Sequence, residues 1–367
     1  MTSKERFKMT MERKLPDRLP VDLLWPRVET IRELKRHFGT DSMELVRDKL
    51  GVDFVWSSVA AKYPDHEARC NGELEGDAPG AGRTYIFHDK ITFEDEWGIV
   101  QRVGADGKYV EWIGGPLVGK ESLDAWNLPR TVLASVEETK KSFNAFADKV
   151  IIAGINNPFK IAWHICGYEH FMIMMALEPK FVHDLYDRLF AWESERAVVA
   201  AKAGADIVAV VGDVAGVNGP MFSIGMWEEF IEPRFKAMIK EIKKANPSTY
   251  IFFHSDGELA SMVPSFIKTG IEILNPIESN CMDPALLKNK YGDKIAFHGA
   301  ISVQKTIPNG TVSDVKNEVY ARIKTVGYNG GYMVSNENSF PYDAPLANIL
   351  AMYEAVQDFN YNLLRKG

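Results

Sequence analysis

YIFFHSDGELASMVPSFIKTGIEILNPIESNC, residues 250–281, decides the fold. It opens on an apolar run with no polar alternation, continues through a segment of helical period from residue 258 to 269, and enters a second apolar run after Gly270. Strands without alternation are covered on both faces, which is how parallel neighbours read, and parallel neighbours need a crossover between them. The helical segment is that crossover, and Gly270 supplies its stop. Outward from this unit the same texture recurs in VIIAGI (150–155), KIAWHI (160–165), DIVAVVGD (206–213), KIAFHGA (294–300) and GGYMVS (330–335), with PVDLLW (20–25) as the first strand. Residues 226–246, 282–291, 312–326 and 345–360 carry apolar positions at helical spacing between them. No GxGxxG follows the first strand, which argues against a dinucleotide-binding doubly wound sheet. The expected fold is therefore α/β, a (β/α)8 TIM barrel formed as one domain over residues 1–367. Residues 81–115 alternate apolar and polar about a turn at 105–107 and predict an antiparallel β-hairpin insertion decorating the barrel mouth.

Composition narrows the function classes. A formal charge of −7 gives no basic surface for nucleic acid. No apolar run approaches the roughly 20 residues that span a bilayer, and the opening MTSKERFKMTMERKLPDRLP is charged where a signal peptide would be apolar. No membrane association and a cytoplasmic location are the expectations. The cysteines are Cys70, Cys166 and Cys281, with no CxxC pair, so neither a disulfide framework nor a four-thiolate zinc site is expected.

Barrel enzymes place their chemistry at the C-terminal ends of strands. There the sequence sets His164, Tyr168, Glu169 and His170; then Asp213; then His254, Asp256 and Glu258; then Asn275, Glu278 and Cys281; then His298; and finally Asn336, Glu337 and Asn338. Each has an ordinary structural explanation: a strand histidine is often a hydrogen-bonded core residue, and Glu169 suits a helix start. As a group, Asp213, His254, Asp256, Glu278 and His298 are harder to explain that way, because burying many charges without a role is costly. Two histidines with two or three carboxylates suit a divalent metal with mixed nitrogen and oxygen ligands, zinc first. The same set suits acid and base groups for proton transfer.

The chain resembles the uroporphyrinogen decarboxylase superfamily. SKERFKMTMERKLPDRLPVDL (3–23) is similar to its N-terminal helix and first strand, and FEDEWGIV (93–100) to a segment of its methyltransferase-like members. GDVAGVNGPMFSIGMWEEFIEPRFKAMI (212–239), FFHSDGEL (252–259), NPIESNCMDPALLKNKYGDKIAFHGAI (275–301) and GGYMVSNENSFPYDAPLANILAMYEAV (330–356) resemble the later strand ends in order. Porphyrin decarboxylases of the superfamily carry an arginine-rich stretch at the first strand, whereas here only Arg27 stands nearby. The resemblance therefore favours the other branch, zinc-dependent methyltransferases that work with a corrinoid protein. Its coenzyme M enzymes hold zinc with His-x-Cys and a later Cys. Here His254 matches the histidine, Asp256 stands in the cysteine position and Asn338 near the later cysteine. Oxygen ligands leave the metal harder than thiolates do, which points to an oxygen substrate.

The resemblance thus implies an O-demethylase component. In it, zinc on His254, Glu278 and His298 polarises the ether oxygen of a small methoxylated, aromatic compound. Its methyl passes to the cob(I)alamin of a corrinoid partner. Asp213, Asp256 and Glu169 are the expected catalytic residues, and Trp25, His164, Tyr168 and Asn338 the expected substrate contacts. A homodimer is implied as well. Three alternatives stay open: a metal-free lyase of the decarboxylase kind, methyl transfer from a methylated corrinoid to tetrahydrofolate or a thiol, and a non-enzymatic corrinoid-binding module.

Overall fold

Seven strands pair in one parallel sheet in strict sequence order: β1 (Phe54–Ser57), β2 (Val150–Asn156), β3 (Ile207–Val211), β4 (Tyr250–His254), β5 (Ile273–Asn275), β6 (Ala296–Ile301) and β7 (Tyr332–Asn336). They belong to a computed structural model that describes residues 1–124 and 126–364. Helices cover the outside of the sheet, which curls into a TIM-barrel-like cylinder. Among the described residues, no helix is long and apolar enough to cross a membrane.

The expected first strand, residues 20–25, is reduced to a single parallel bridge between Val21 and Val334. It still closes the sheet. Asp22 N–H donates to the Val334 carbonyl and Val334 N–H to the Pro20 carbonyl, while Asp53 N–H donates to the Val21 carbonyl on the other side, each at 2.9 Å. Asp53, 1% exposed, locks this seam: it accepts from Arg6 (2.6 Å), Arg18 (2.7 Å) and the Val21 N–H (3.0 Å).

One expected strand is a helix and one strand was not expected. KIAWHI is not a strand but part of the helix Pro158–Cys166, started by Asn157, whose side chain accepts from Phe159 N–H, and by Pro158 in the first turn. The missed strand is β1. The remaining runs form strands where the sequence placed them.

Because both faces of each strand are buried, successive residues enter two different cores. Phe54, Ile152, Ile207, Phe252, Ile273, Ala296 and Met333 fill the cylinder, with Phe7 of the helix Ser3–Met11 plugging its base. Phe7 meets Phe54 and Tyr250 edge-on at 5.8 and 5.4 Å. Val208, Val210, Ile251, Phe253, Leu274, Phe297 and Val334 point outward against the helices. Each fully buried side chain of this size contributes roughly 1.5–3 kcal/mol.

Between β1 and β2 the antiparallel insertion is wider than the expected hairpin. Five short strands, Gly72–Glu73, Thr84–Phe87, Thr92–Glu94, Val100–Val103 and Val110–Gly114, form one sheet in sequence order. The last two flank the turn at 105–107, where Gly107 N–H donates to the Gly104 carbonyl. Trp112 fixes this sheet to the barrel by donating its indole N–H to the His164 carbonyl at 2.8 Å.

Candidate functional site

Parallel register sets the inward-facing side chains of adjacent strands side by side. Val211 pairs with His254 and His254 with Asn275, so one layer of the cylinder interior carries a polar group on consecutive strands. The chain then leaves each strand with a carboxylate two residues on, Asp213 after β3 and Asp256 after β4. Among the described residues, Asp213, His254 and Asp256 are the donors whose ligating atoms all lie within 4.8 Å of one another. His254 Nε2 stands 3.9 Å from Asp213 Oδ1 and 3.8 Å from Asp256 Oδ1. The imidazole is buried while the two carboxylates are about one-third exposed, so the group opens toward the barrel mouth.

The local backbone is held firmly. Asp256 N–H donates to Asp213 Oδ1 (3.0 Å), Asn338 Nδ2 donates to Asp256 Oδ2, and Ser255 Oγ accepts from Val214 N–H. At Gly257 the backbone takes φ +95°, and a Cβ there would stand 2.6 Å from the Gly216 carbonyl oxygen, so the turn needs glycine. Burial raises the Asp256 carboxyl above its ordinary range; His254 works against that and Asp213 adds to it.

Two of the expected metal ligands fall outside this group. Glu278, 4% exposed, is occupied as a brace: Oε2 accepts from Gly257 N–H at 2.9 Å and Oε1 from the Gln304 side chain. It therefore holds the turn that carries Asp256. His298, fully buried, faces the barrel interior, with Nε2 on Asp22 Oδ2 at 3.2 Å and Nδ1 on Asn275 Nδ2 at 2.8 Å. Both of its ring nitrogens are engaged within the barrel interior.

The expected substrate residues divide likewise. Trp25 lies against the site, its ring edge-on to His254 at 4.6 Å and to Trp56 at 5.1 Å. Its φ of +40° is strained for a bulky residue. Asn336 imposes the turn, accepting from Leu24 N–H (3.1 Å) and donating to the Leu24 carbonyl (2.8 Å). Asn338 touches Asp256 as above. No hydrogen bond or ion pair joins His164, Tyr168 or Glu169 to the three-donor group. His164 sits on the helix Pro158–Cys166, where burial, reinforced by Lys160, lowers its pKa to about 4. Tyr168 and Glu169 are exposed at the start of the next helix, Tyr168–Leu177. That helix pair reaches the site through a residue the sequence did not single out, Lys160, whose Nζ lies 3.6 Å from Asp213 Oδ2.

A cavity of about 350 Å³ adjoins the carboxylates, lined among others by Arg27, Asp256, Glu278, Glu337, Asn338 and Tyr342. Glu337 is 2% exposed. Its Oε1 accepts from Ser279 N–H (2.7 Å) and Oγ (2.8 Å), while Oε2 has no partner among the described residues. Burial, opposed by the Ser279 bonds and reinforced by Glu318 and Glu278, pushes its carboxyl up to about 7.

Comparison with known proteins agrees with this architecture. A methyltransferase structure from Methanosarcina mazei superposes with a TM-score of 0.69 at 17% identity, covering 98% of this chain and 99% of that one. A methylated-thiol–coenzyme M methyltransferase of Methanosarcina mazei is 23% identical over 227 residues, 62% of this chain and 58% of the relative, so the match spans under two thirds of that protein. A uroporphyrinogen decarboxylase of Coxiella burnetii is 19% identical over 290 residues, 75% of this chain and 76% of the relative. The family model for uroporphyrinogen decarboxylase (URO-D) matches residues 93–359, from the third strand of the insertion through the last helix of the barrel. With its barrel, its strand-end carboxylates and that match over most of its length, the chain belongs to the uroporphyrinogen decarboxylase (URO-D) family.

Proposed function

We propose that this chain is a zinc-dependent methyltransferase that takes a methyl group from a small methoxylated, aromatic compound and delivers it to the corrinoid of a partner protein. The reading is carried by one observation: an imidazole and two carboxylates stand within 4.8 Å of one another at the mouth. An N,O,O donor set suits zinc at a catalytic site, where three protein ligands leave a position open. The residues fit the ion in a second way, because His254 Nδ1 is already engaged by Asn275 Oδ1 at 2.6 Å and its Nε2 is left facing the carboxylates. The ligands on this reading are His254, Asp213 and Asp256, with Glu278 and His298 as supports. Bound there, zinc would act as a Lewis acid toward the ether oxygen of the substrate.

The chain's own residues supply the rest. Trp25 offers an aromatic wall beside His254 for the arene. As the O–CH3 bond breaks, its electron pair stays on oxygen and the methyl goes to the cob(I)alamin acceptor. Glu337, holding a proton below pH about 7 in the adjoining cavity, gives it to the departing oxygen. Asn338, in the cavity lining, fixes Asp256. The decarboxylase reading is weaker here: a porphyrin with several carboxylates needs several cations, and the described cavity lining offers Arg27 alone.

The test is incubation of the zinc-loaded protein with a cob(I)alamin-loaded corrinoid protein and a panel of methoxyarenes, following the cob(I)alamin absorbance. Loss of that absorbance only with a methoxylated compound is expected. An unchanged spectrum across the panel, or bleaching by a methylated thiol alone, would sink the proposal.

A further inference from the structure

A chain of side chains crosses the barrel interior behind His254. Asn275, His298 and Asp22 are all fully buried and His254 is 3% exposed, so solvent does not complete their hydrogen bonding. Asn275 is the junction. Its amide group contacts His254 Nδ1 at 2.6 Å with one arm, and His298 Nδ1 at 2.8 Å and the His298 carbonyl oxygen at 3.3 Å with the other. A carbonyl oxygen only accepts, so the arm at His298 must be the NH2 and the arm at His254 the oxygen. His298 Nδ1 then accepts, and its proton lies on Nε2, which donates to Asp22 Oδ2 at 3.2 Å. Asp22 suits that end: Oδ2 also accepts from the Trp56 indole N–H (2.8 Å) and Oδ1 from Leu23 N–H (2.7 Å), so donors surround its carboxylate. At the other end the amide oxygen requires a proton on His254 Nδ1.

We propose that Asp22, His298 and Asn275 form a one-directional hydrogen-bond chain that holds His254 in its Nδ1–H form, leaving Nε2 bare toward Asp213 and Asp256. The three are positioning residues. Asp22 and Trp56 are inward-facing residues of the barrel seam and β1, so the polarity is set on the far side of the cylinder from the carboxylates it serves. Buried as they are, the four groups favour this one proton arrangement, since reversing it would set the Asn275 amide oxygen against the His298 carbonyl oxygen and leave the Asp22 carboxylate facing the bare Nε2 of His298. The assignment of protons stands without any metal. Its effect on ion affinity rests on the zinc reading given above, where outer-shell partners of a metal histidine are worth 10–100-fold in affinity, an order-of-magnitude expectation.

The experiment uses full-length, 15N-labelled, metal-free protein and long-range ring 1H–15N correlations, which distinguish a protonated from a bare ring nitrogen. His254 should carry its proton on Nδ1 and His298 on Nε2. A His254 proton on Nε2 in the wild type overturns the proposal, and that measurement needs no variant to fold. Two near-isosteric variants extend it. Asn275→Leu removes both arms, so His254 should populate both tautomers, and zinc affinity, measured against a chromophoric chelator, should fall about 10–100-fold. Asn275→Asp keeps an acceptor for His254 and removes the donor to His298. His254 should therefore stay Nδ1–H with affinity within a few-fold of wild type, while His298 gains a proton on Nδ1. Wild-type affinity in Asn275→Leu, or an equal loss in both variants, refutes the chain. A wild type that shows the expected tautomers yet binds no zinc would instead overturn the metal reading alone.

Discussion

Replacing Glu337 by Gln should make the protein more stable at alkaline pH and less active. Burial raises the Glu337 carboxyl from its ordinary 4.5 to about 7. Below pH 4.5 the group is protonated in folded and unfolded chains alike, and burial of the neutral acid carries no ionisation penalty. As pH rises, the unfolded chain loses its proton first, so stability falls progressively until the folded carboxyl also ionises near 7. At about 1.4 kcal/mol per pH unit over an interval of about 2.5, the loss is roughly 3 kcal/mol, and it is complete above that window. Glutamine resembles the neutral acid at every pH and its oxygen can still receive both Ser279 donors. Urea unfolding of wild type and Glu337→Gln at pH 5, 6, 7 and 8 should therefore give curves that differ by only about 1 kcal/mol at pH 5 and diverge to roughly 3 kcal/mol in favour of the variant by pH 8. Glu193 and Asp95, also raised to about 7 by burial, steepen both curves equally, so the difference isolates Glu337. On the proposed mechanism the same substitution removes the proton for the departing oxygen, so it should lower kcat. Parallel stability curves across that pH range would refute the assignment of a buried, neutral carboxyl.

Three further outcomes follow from the geometry. His254→Ala should cut zinc retained after dialysis from about one ion per chain to near none, read by atomic emission; retention at the wild-type level would place the ion elsewhere. Asp53→Ala leaves Arg6 and Arg18, 8% and 15% exposed, without their shared carboxylate and should cost about 3–5 kcal/mol by denaturant titration. Gly257→Ala sets a Cβ against the Gly216 carbonyl at φ +95°. It should cost about 1–3 kcal/mol and weaken zinc binding by moving Asp256, seen as a shifted chelator competition curve.

The sequence discloses the parallel sheet because runs such as YIFFH and DIVAVV can only be strands buried on both faces. The same property hides which residues point inward. Without alternation, nothing in KIAFHGA says that His298 turns into the cylinder toward Asp22, and nothing in IEILN says that Asn275 stands beside His254; that needs the register. Asp213 and Asp256 were legible, since each lies two residues beyond a strand of clear type. Glu278 lies three residues beyond β5, in a loop whose path the strand pattern does not fix, and there it became a brace for the turn at Gly257. KIAWHI failed as a strand because a six-residue apolar run has no period to distinguish it from a buried helix, and the overlooked signal was the Asn157–Pro158 start. The strand Phe54–Ser57 is too short to stand out.

The seam at residues 20–22 ties synthesis to function. Its partners in β7 lie more than 300 positions later, as the 312-residue separation of Leu24 from Asn336 records. The cylinder cannot shut until residue 336 has left the ribosome, and this is a long-range pairing of the kind that folds slowly. The Trp25 turn, which the seam and Asn336 shape together, stays unformed until then. A nascent chain lacking its final strand is thus both open-edged and without that side of the pocket, so incomplete copies should be recognisable to proteases before they can sequester substrate.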